Sequence, residues 1–239
     1  MQVLRGRDAS PRTDRNHTVR LLANAAEGLA GVRVWAPPRH VAFGRRDVRE
    51  PGHDRARRAA GTAGFDPIRR DVGGRAVAYT GDTLAFAVAL PIDGDRGSID
   101  ERYATVTRAV RSALEESGAG ISSGEPPDSF CPGDHSLRVG GGESEGGKLA
   151  GIAQRVRSDA ALVAGCVVVS RHDAHAIATV LDPVYDALDV PFDPGSVGSV
   201  AAAGGPSDAR RIARAVEHAL VERRAGGSYR VERVGPEPW

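Results

Sequence analysis

Apolar and polar positions alternate in short runs along much of the chain, and glycine, proline or charged residues separate the runs. A period of two is typical of β-strands, in which successive side chains point to opposite faces of a sheet. We predict strands at residues 32–35, 41–43, 68–77, 83–90, 135–139, 148–157 and 160–169. Glycines and an aspartate between 68–77 and 83–90 predict that these two strands form a hairpin.

Apolar residues take a helical spacing in three segments. The predicted helices cover 98 to about 118, about 173–188 and about 207–223. Ser98 and Glu101 have the spacing of a capping box, and Pro183 predicts a break in the second helix. Strands with interspersed helices, without a regular βαβ alternation, predict an α+β fold with a mixed or antiparallel β-sheet core flanked by helices.

The length of 239 residues suits one large domain or one domain with a small appendage. Residues 1–17 are polar and lack a periodic apolar pattern, so we expect a flexible N-terminus. We expect a single domain over 18–225 and a C-terminal tail over 226–239. The segment 124–134 is too rich in proline and glycine for regular structure, and a loop of this length is often functional.

Composition excludes several classes of partner. With 32 basic and 31 acidic residues the net charge is +1, so we expect neither nucleic acid nor an anionic membrane as the main partner. No run of 18 apolar residues occurs, and the arginine-rich N-terminus has no apolar core, which predicts a cytoplasmic protein. Neither a zinc-ligand spacing nor a phosphate-binding P-loop motif is present, so no metal site is predicted.

Lysine is used once: Lys148 is the single lysine, and the other 31 basic residues are arginine. Small and apolar residues alternate around it over 147–154, which indicates a strand with one face on a cavity. Its ammonium would then be available to an acyl carbonyl or a phosphate. Alternatively, the side chain lies at a strand edge with its charged end in water.

The two cysteines differ in their surroundings. Cys131 lies in Ser-Phe-Cys-Pro-Gly (129–133), where an exposed loop thiol could act as a nucleophile or could be a small buried side chain. Cys166 lies in an apolar run and is predicted to be in the core. His135 is four residues from Cys131, and it either begins a strand or acts as a base.

A glycine pair, Gly73 and Gly74, lies between arginines in the segment 69–77. Glycines allow a backbone to approach a ligand closely, and the flanking guanidinium groups could hold a carboxylate or phosphate. The alternative is a glycine bulge in a hairpin with solvated arginines.

Taken in order, the motifs Arg-Arg-x-x-Gly-Gly-Arg-Ala-Val (69–77), Phe-Cys-Pro-Gly-Asp (130–134) and Gly-Lys-x-Ala-Gly-x-Ala-Gln-Arg (147–155) resemble those of the biotin/lipoate protein ligase superfamily. The resemblance runs from about residue 32 to 200 and is greatest to cysteine-dependent octanoyltransferases and lipoyl amidotransferases. It implies a sheet-based α+β catalytic domain with a central pocket for an eight-carbon acyl chain.

The resemblance also implies the reaction. Cys131 would accept an octanoyl or lipoyl group as a thioester, Lys148 would orient the acyl carbonyl, and the lysine of a lipoyl-domain protein would then take the group. Implied partners are the glycine cleavage H protein and the acyltransferase subunits of 2-oxoacid dehydrogenases, with no cofactor required. The implied substrate-binding residues are Arg70, Gly73, Gly74, Arg75, Ala76, Gly147, Ala150, Gly151 and Gln154.

Two positions depart from the pattern of these relatives. His135 and Ser136 stand where relatives often have a tyrosine and an acidic residue, and Ala164-Gly165 stands where many have His-Gly. Two other functions remain open. An ATP-dependent lipoate–protein ligase of the same fold would form lipoyl-AMP with ATP and Mg²⁺ and would not require Cys131. A non-catalytic acyl-binding module would need neither Cys131 nor Lys148, because such a pocket needs few ionisable groups.

Overall fold

The computed structural model describes residues 1–70, 73–92, 98–140, 146–225 and 228–236. The strands are β1 (Gln2–Arg5), β2 (Gly31–Trp35), β3 (His40–Phe43), β4 (Asp66–Arg69), β5 (Val77–Tyr79), β6 (Leu84–Pro91), β7 (Ile121–Ser123), β8 (Ser136–Val139), β9 (Lys148–Val156), β10 (Ala160–Val167) and β11 (Arg230–Arg233). The helices are α1 (Pro11–Ala26), α2 (His53–Thr62), α3 (Ile99–Glu116), α4 (Arg171–Ala187) and α5 (Ala209–Ala225), with short 3-10 helices at Asp47–Arg49 and Pro194–Ser196.

The strands form one large and one small sheet. The large sheet has the order β11-β1-β2-β6-β10-β9-β8-β7, and the small sheet has the order β4-β3-β5. Strand β1 pairs in parallel with β2 and β11, whereas every pair from β2 onward along the sheet, β2-β6, β6-β10, β10-β9, β9-β8 and β8-β7, is antiparallel. The prediction of an α+β fold with a mixed sheet is therefore confirmed.

Helices cover both faces of the large sheet. Helix α1 contacts β2, β6 and β10 on one face, and its apolar side chains join Trp35 and Leu162 in a buried cluster. Helices α3 and α5 contact each other and bury their apolar residues with Val88 and Val163 on the opposite face. Helices α2 and α4 contact each other and form a third buried cluster with the small sheet. The described helices include none that is long and apolar enough to cross a bilayer.

Several predictions from the apolar pattern are confirmed, including strands β2, β3, β8, β9 and β10. Helix α3 begins with the predicted capping box, in which Ser98 and Glu101 each accept the other's backbone N–H. The segment 124–134 lies between β7 and β8 without helix or strand, as expected. The glycines of 140–147 also predict a turn that joins β8 to β9, and of these residues 141–145 lie outside the described part of the chain.

The prediction of one strand over 68–77 is wrong. Strand β4 ends at Arg69 and β5 begins at Val77, and Gly74 between them has a φ of +100°. Such a backbone angle ends an extended run and favours glycine. The predicted hairpin with 83–90 is also absent among the described strands, because β5 belongs to the small sheet and β6 to the large one.

The N-terminal and C-terminal segments are more ordered than their polarity predicts. Residues 1–17 contain β1 and the start of α1, where the Ser10 hydroxyl accepts the backbone N–H of Arg12 and Pro11 occupies the first helical position. Within 226–239, Arg230–Arg233 form the edge strand β11 beside β1. The segment expected to be a flexible N-terminus thus contains a strand and the start of a helix, and the segment expected to be a C-terminal tail contains β11, because pairing within the sheet satisfies their backbone.

Two helices differ from the prediction. Helix α2 lies in a polar segment for which no element was predicted, since its buried residues are alanines that give a weak apolar signal. Helix α4 continues through Pro183 rather than breaking there. A proline removes one backbone hydrogen bond, but the turns around it bury Val180, Leu181 and Val184, and this packing keeps the helix intact.

Candidate active site

A cavity of about 660 Å³ lies between α1, the adjoining face of the large sheet, the small sheet and the loop before β8. This volume is in the range of pockets that hold small organic ligands. Its apolar lining includes Leu22, Trp35, Val77, Phe86, Leu162 and Ala164. An apolar chain could therefore bind against this lining, next to the polar side chains of Arg70, Cys131 and Lys148.

The wall formed by β10 is made of small residues. Ala164 and Gly165 both line the cavity, and a side chain at Gly165 would lie 2.4 Å from the Phe86 ring and 2.4 Å from the Gly151 carbonyl oxygen. A glycine is therefore required at this position. Ala164 presents a methyl group to the cavity, so this part of the wall is apolar.

Cys131 lies in the cavity wall, partly buried, with a φ of +45°. For a residue other than glycine this left-handed backbone is unfavourable and needs support from its surroundings. The Tyr185 hydroxyl supplies it: the hydroxyl accepts the Cys131 N–H at 2.6 Å and donates to the Ala76 carbonyl at 2.9 Å. Helix α4 thereby fixes the direction of the thiol.

The cation beside the sulfur is Arg70. One of its terminal nitrogens, Nη2, lies 3.1 Å from Cys131 Sγ and 2.7 Å from the Arg75 carbonyl oxygen. Burial lowers the pKa of Arg70, but the sulfur of Cys131 and the hydroxyl of Tyr79 outweigh burial, and the net shift is upward. The resemblance implied Arg70 only as a substrate-binding residue, with Lys148 orienting the acyl carbonyl.

Lys148 lies beneath the segment 124–134, which we call the cysteine loop, with 1% of its side chain exposed. Its Nζ is 2.9 Å from the Phe130 carbonyl oxygen and 2.8 Å from that of Cys131. It is also 3.0 Å from each carboxylate oxygen of Glu125. The ammonium thus holds the loop through backbone carbonyls on both sides of the thiol.

Glu125 is a site residue that the motifs did not indicate. Besides Lys148, its carboxylate accepts hydrogen bonds from the Ser129 and Ser136 hydroxyls and from the Gly133 N–H. The network ties both ends of the loop to β8 and β9. The loop also carries Asp128 and Asp134, so the sequence alone offers no signal that singles out Glu125 as the partner of the one lysine.

The other predicted site residues divide into two groups. Gly73, Gly74, Gly151 and Gln154 line the cavity together with Arg70, Cys131 and Lys148. Arg75, Ala76, Gly147 and Ala150 lie outside that lining. These four residues instead contact parts of the protein away from the cavity.

Arg75 binds Asp47 at 3.3 Å and Glu50 at 2.7 Å, so its guanidinium is already neutralised. Ala76 is buried and supplies the carbonyl that Tyr185 binds, and Ala150 is buried in the cluster under α3 and α5. A side chain at Gly147 would lie 2.6 Å from the Gly198 nitrogen, so this glycine permits close approach of two backbones.

Aromatic and histidine side chains that the motifs did not indicate also line the cavity. His40 is 6% exposed, stacks on Tyr79 at 4.7 Å, and lies with Nδ1 2.6 Å from the Pro38 carbonyl oxygen. A carbonyl only accepts, so Nδ1 carries the proton and Nε2 is unprotonated in the neutral ring. His135 precedes β8 and stacks on Tyr103 at 3.8 Å at the cavity.

Burial shifts the titration of several groups around the cavity. It lowers the pKa of His40 and raises the pKa of the Cys166 thiol and of the Tyr79 hydroxyl. Cys166 is 4% exposed, which confirms its predicted place in the core, although it also reaches the cavity wall. Within the described residues no group of three or more histidine, cysteine, aspartate or glutamate side chains could hold a metal ion.

The lowered pKa of His40 predicts a pH dependence of stability. Below the ordinary histidine pKa of about 6.5, His40 is protonated in the unfolded chain but stays neutral in the folded chain. The free energy of unfolding therefore falls as the pH falls. We expect His40→Phe, which keeps the stacked ring, to reduce the loss between pH 7.5 and 5.5 by about 1 kcal/mol. Urea unfolding at both pH values measures this, with the exposed His172→Gln as control. Equal losses in wild type and His40→Phe would contradict it.

Gly74 is expected to tolerate no side chain. A Cβ there would lie 2.4 Å from Cys131 Sγ and 2.7 Å from Arg70 Nη2, at a φ of +100°. We expect Gly74→Ala to lower the free energy of unfolding by about 1–3 kcal/mol. Gly73→Ala, where the added methyl meets nothing within 4 Å, is the matched control in thermal unfolding. Equal melting temperatures of the two variants would contradict this account of the loop.

Comparison with known proteins gives a consistent family. Residues 14–191 match the family described as lipoyl protein ligase A/B catalytic domain. Similar curated proteins are named octanoyl-[GcvH]:protein N-octanoyltransferase. That of Exiguobacterium sibiricum is 34% identical over 137 residues, which are 56% of this chain and 47% of the relative. That of Exiguobacterium sp. is 31% identical over 167 residues, 70% of this chain and 57% of the relative.

Two solved structures are similar in fold. A lipoate-protein ligase A bound with ATP superimposes with a TM-score of 0.71 at 19% identity, over 98% of this chain and 88% of the other. A bi-partite lipoate protein ligase from Thermoplasma acidophilum gives 0.66 at 18% identity, over 98% and 86%.

The chain spans about half the length of the curated relatives it matches. The family match covers well over half of the chain, and it includes the glycine pair, the cysteine loop and the strand of Lys148. The chain belongs to the lipoyl protein ligase A/B catalytic domain family.

Proposed function

We propose that this chain is an acyltransferase that moves an octanoyl or lipoyl group through a Cys131 thioester to a lysine of a lipoyl-domain protein. One observation carries the proposal: the only thiol on the cysteine loop lies in the wall of an apolar cavity and is held there by Tyr185 and Lys148. The names of the curated relatives support octanoyl as the group.

In the first step the Cys131 sulfur attacks the carbonyl carbon of the acyl donor. A C–S bond forms, and the bond from that carbon to the donor's lysine nitrogen breaks. The thiol proton ends on the departing amine, so the products are the thioester and the free donor lysine. A thiolate suits this role because it is both a good nucleophile and a good leaving group.

In the second step the amine of the acceptor lysine attacks the thioester carbon. A C–N bond forms, the C–S bond breaks, and the proton lost by the amine returns to the sulfur. The acceptor becomes an amide and Cys131 is regenerated, so the cycle needs no ATP, metal or other cofactor.

Negative charge develops on the acyl oxygen in both steps, and preorganised positive charge stabilises it. Lys148 is paired with Glu125 and bound to two loop carbonyls, so its part in the proposal is to donate to the acyl oxygen in exchange for one of those carbonyl contacts. The cavity excludes water from the thioester, which otherwise hydrolyses. Trp35, Leu162 and Ala164 supply the apolar surface for the acyl tail.

The proposed donor is the octanoylated glycine cleavage H protein, a choice supported by the reactants in the relatives' names. The proposed acceptors are lipoyl domains, including those of the acyltransferase subunits of 2-oxoacid dehydrogenases.

Mixing the chain with octanoylated H protein and a lipoyl domain tests the proposal. Intact mass spectrometry should detect one octanoyl group on the lipoyl domain without ATP, and none when the acceptor lysine is replaced by arginine. Acylation that requires ATP and free octanoate or lipoate would instead make the chain a ligase. Binding of the acyl donor without any transfer would make it a binding module.

A further inference from the structure

Two cations line the cavity near Cys131, the buried Lys148 and the partly buried Arg70, and they have different partners. Lys148 Nζ is surrounded by the two carboxylate oxygens of Glu125 and two backbone carbonyls, at 2.8 to 3.0 Å. Arg70 Nη2 instead lies 3.1 Å from Cys131 Sγ. The cation in hydrogen-bonding contact with the sulfur is therefore the guanidinium.

The local backbone is arranged so that this contact can form. The backbone N–H of Arg70 donates to the Phe43 carbonyl at 2.9 Å, and the side-chain Nη2 donates to the Arg75 carbonyl at 2.7 Å. These two bonds fix the backbone of Arg70 and the end of its side chain. Gly74 has no side chain in the space between sulfur and guanidinium. Arg70 Nε is buried without a hydrogen-bond partner among the described residues, so the side chain is held by few other groups.

We propose that Arg70 is a catalytic residue, whose guanidinium stabilises the thiolate of Cys131 before attack and again when that thiolate leaves. The role of the thiolate in acyl transfer rests on the proposed function, whereas the ion pair itself does not. Arginine cannot take the thiol proton at any ordinary pH, so that proton passes to water when the free enzyme ionises. The guanidinium contributes fixed charge and no proton transfer.

The other groups around the sulfur do not replace this charge. They are Lys148 and Glu125 from β9 and the loop, Tyr79 from β5, His40 from β3, Cys166 from β10, Tyr185 from α4, Tyr103 from α3, and Asp134 and His135 after Cys131. Burial raises the pKa of Tyr79, Tyr185 and Cys166, which keeps these three neutral at pH 7. Lys148 is paired with Glu125. Arg70 is thus the cation in direct contact with the sulfur.

The rate of alkylation of Cys131 by iodoacetamide, followed by peptide mass mapping across pH 5.5–10 in the whole chain, tests the proposal. Only the thiolate reacts, so the profile reports its population. We expect Arg70→Gln to move the profile of alkylation rate against pH about one unit toward higher pH. The rate of alkylation at neutral pH should then fall about tenfold. Arg69→Gln, on the exposed neighbouring arginine, is the matched control and should leave the profile in place.

Gly74→Ala is a second variant that keeps every charge and forces the sulfur and guanidinium apart. It should displace the profile in the same direction, and circular dichroism checks that each variant is folded. A folded Arg70→Gln or Gly74→Ala variant with the wild-type profile would overturn the proposal, as would an equal displacement in Arg69→Gln. No acyl donor is present in this assay. If Arg70→Gln displaced the alkylation profile as expected while the wild-type chain transferred no octanoyl group, the proposed function would be rejected and the role of Arg70 beside the sulfur would stand.

Discussion

Cys131→Ser is expected to lower the rate of octanoyl transfer at least about a thousandfold, because a serine hydroxyl beside Arg70 and Tyr185 is not ionised at neutral pH. The rate is measured as octanoyl groups appearing on a lipoyl domain with octanoylated H protein as donor. Serine is nearly the size of cysteine, so the cavity and the loop should be unchanged.

Cys166→Ala is the matched control for this prediction. Cys166 is the second free thiol and lies on β10, without an assigned role in the transfer. We expect this variant to keep most of its activity. Full transfer by Cys131→Ser, or equal losses in the two variants, would remove the covalent step from the account.

Lys148→Met is expected to have two effects of similar importance. Removing the ammonium leaves Glu125 and the Phe130 and Cys131 carbonyls without their shared donor, and breaking a buried pair costs about 3 kcal/mol of stability. The loop that carries the thiol then loosens, and transfer should fall at least tenfold. Urea unfolding and the transfer assay measure the two effects.

Glu125→Gln is the control that separates the two possible roles of the lysine. It keeps the size of the side chain and both carbonyl contacts of Lys148, but its NH2 group cannot accept the hydrogen bonds of one carboxylate oxygen, so we expect some loss of stability with the ammonium still in place. If Lys148→Met were inactive but as stable as the wild type, the lysine would act on the substrate alone and would not support the loop.

The apolar pattern predicts the centre of the fold better than its ends. Strands β6 and β10 are nearly continuous apolar runs at the centre of the large sheet, where most of their residues are buried, and such runs are visible in the sequence. Strands β1 and β11 are only four residues long, too short for a clear apolar pattern, and they form because neighbouring strands satisfy their backbone. Helix α1 contains polar Asp14 on its buried side, where Arg33 binds it at 2.6 Å.

The three motifs predict which segments meet, since residues from each segment line one cavity. They do not predict which cation faces the sulfur. That depends on the left-handed backbone of Cys131, which Tyr185 of α4 stabilises from a distant part of the chain. Glu125 was missed for a related reason: its partner Lys148 is 23 residues away and becomes its neighbour only through the sheet.

The covalent intermediate itself gives the most direct test of the account. The chain is incubated with octanoylated H protein without an acceptor, and its intact mass and its peptides are then measured before and after hydroxylamine. The account predicts one octanoyl group per chain, located on the peptide that carries Cys131 and removed by hydroxylamine. A chain that acylates the lipoyl domain while its own mass never changes would contradict it.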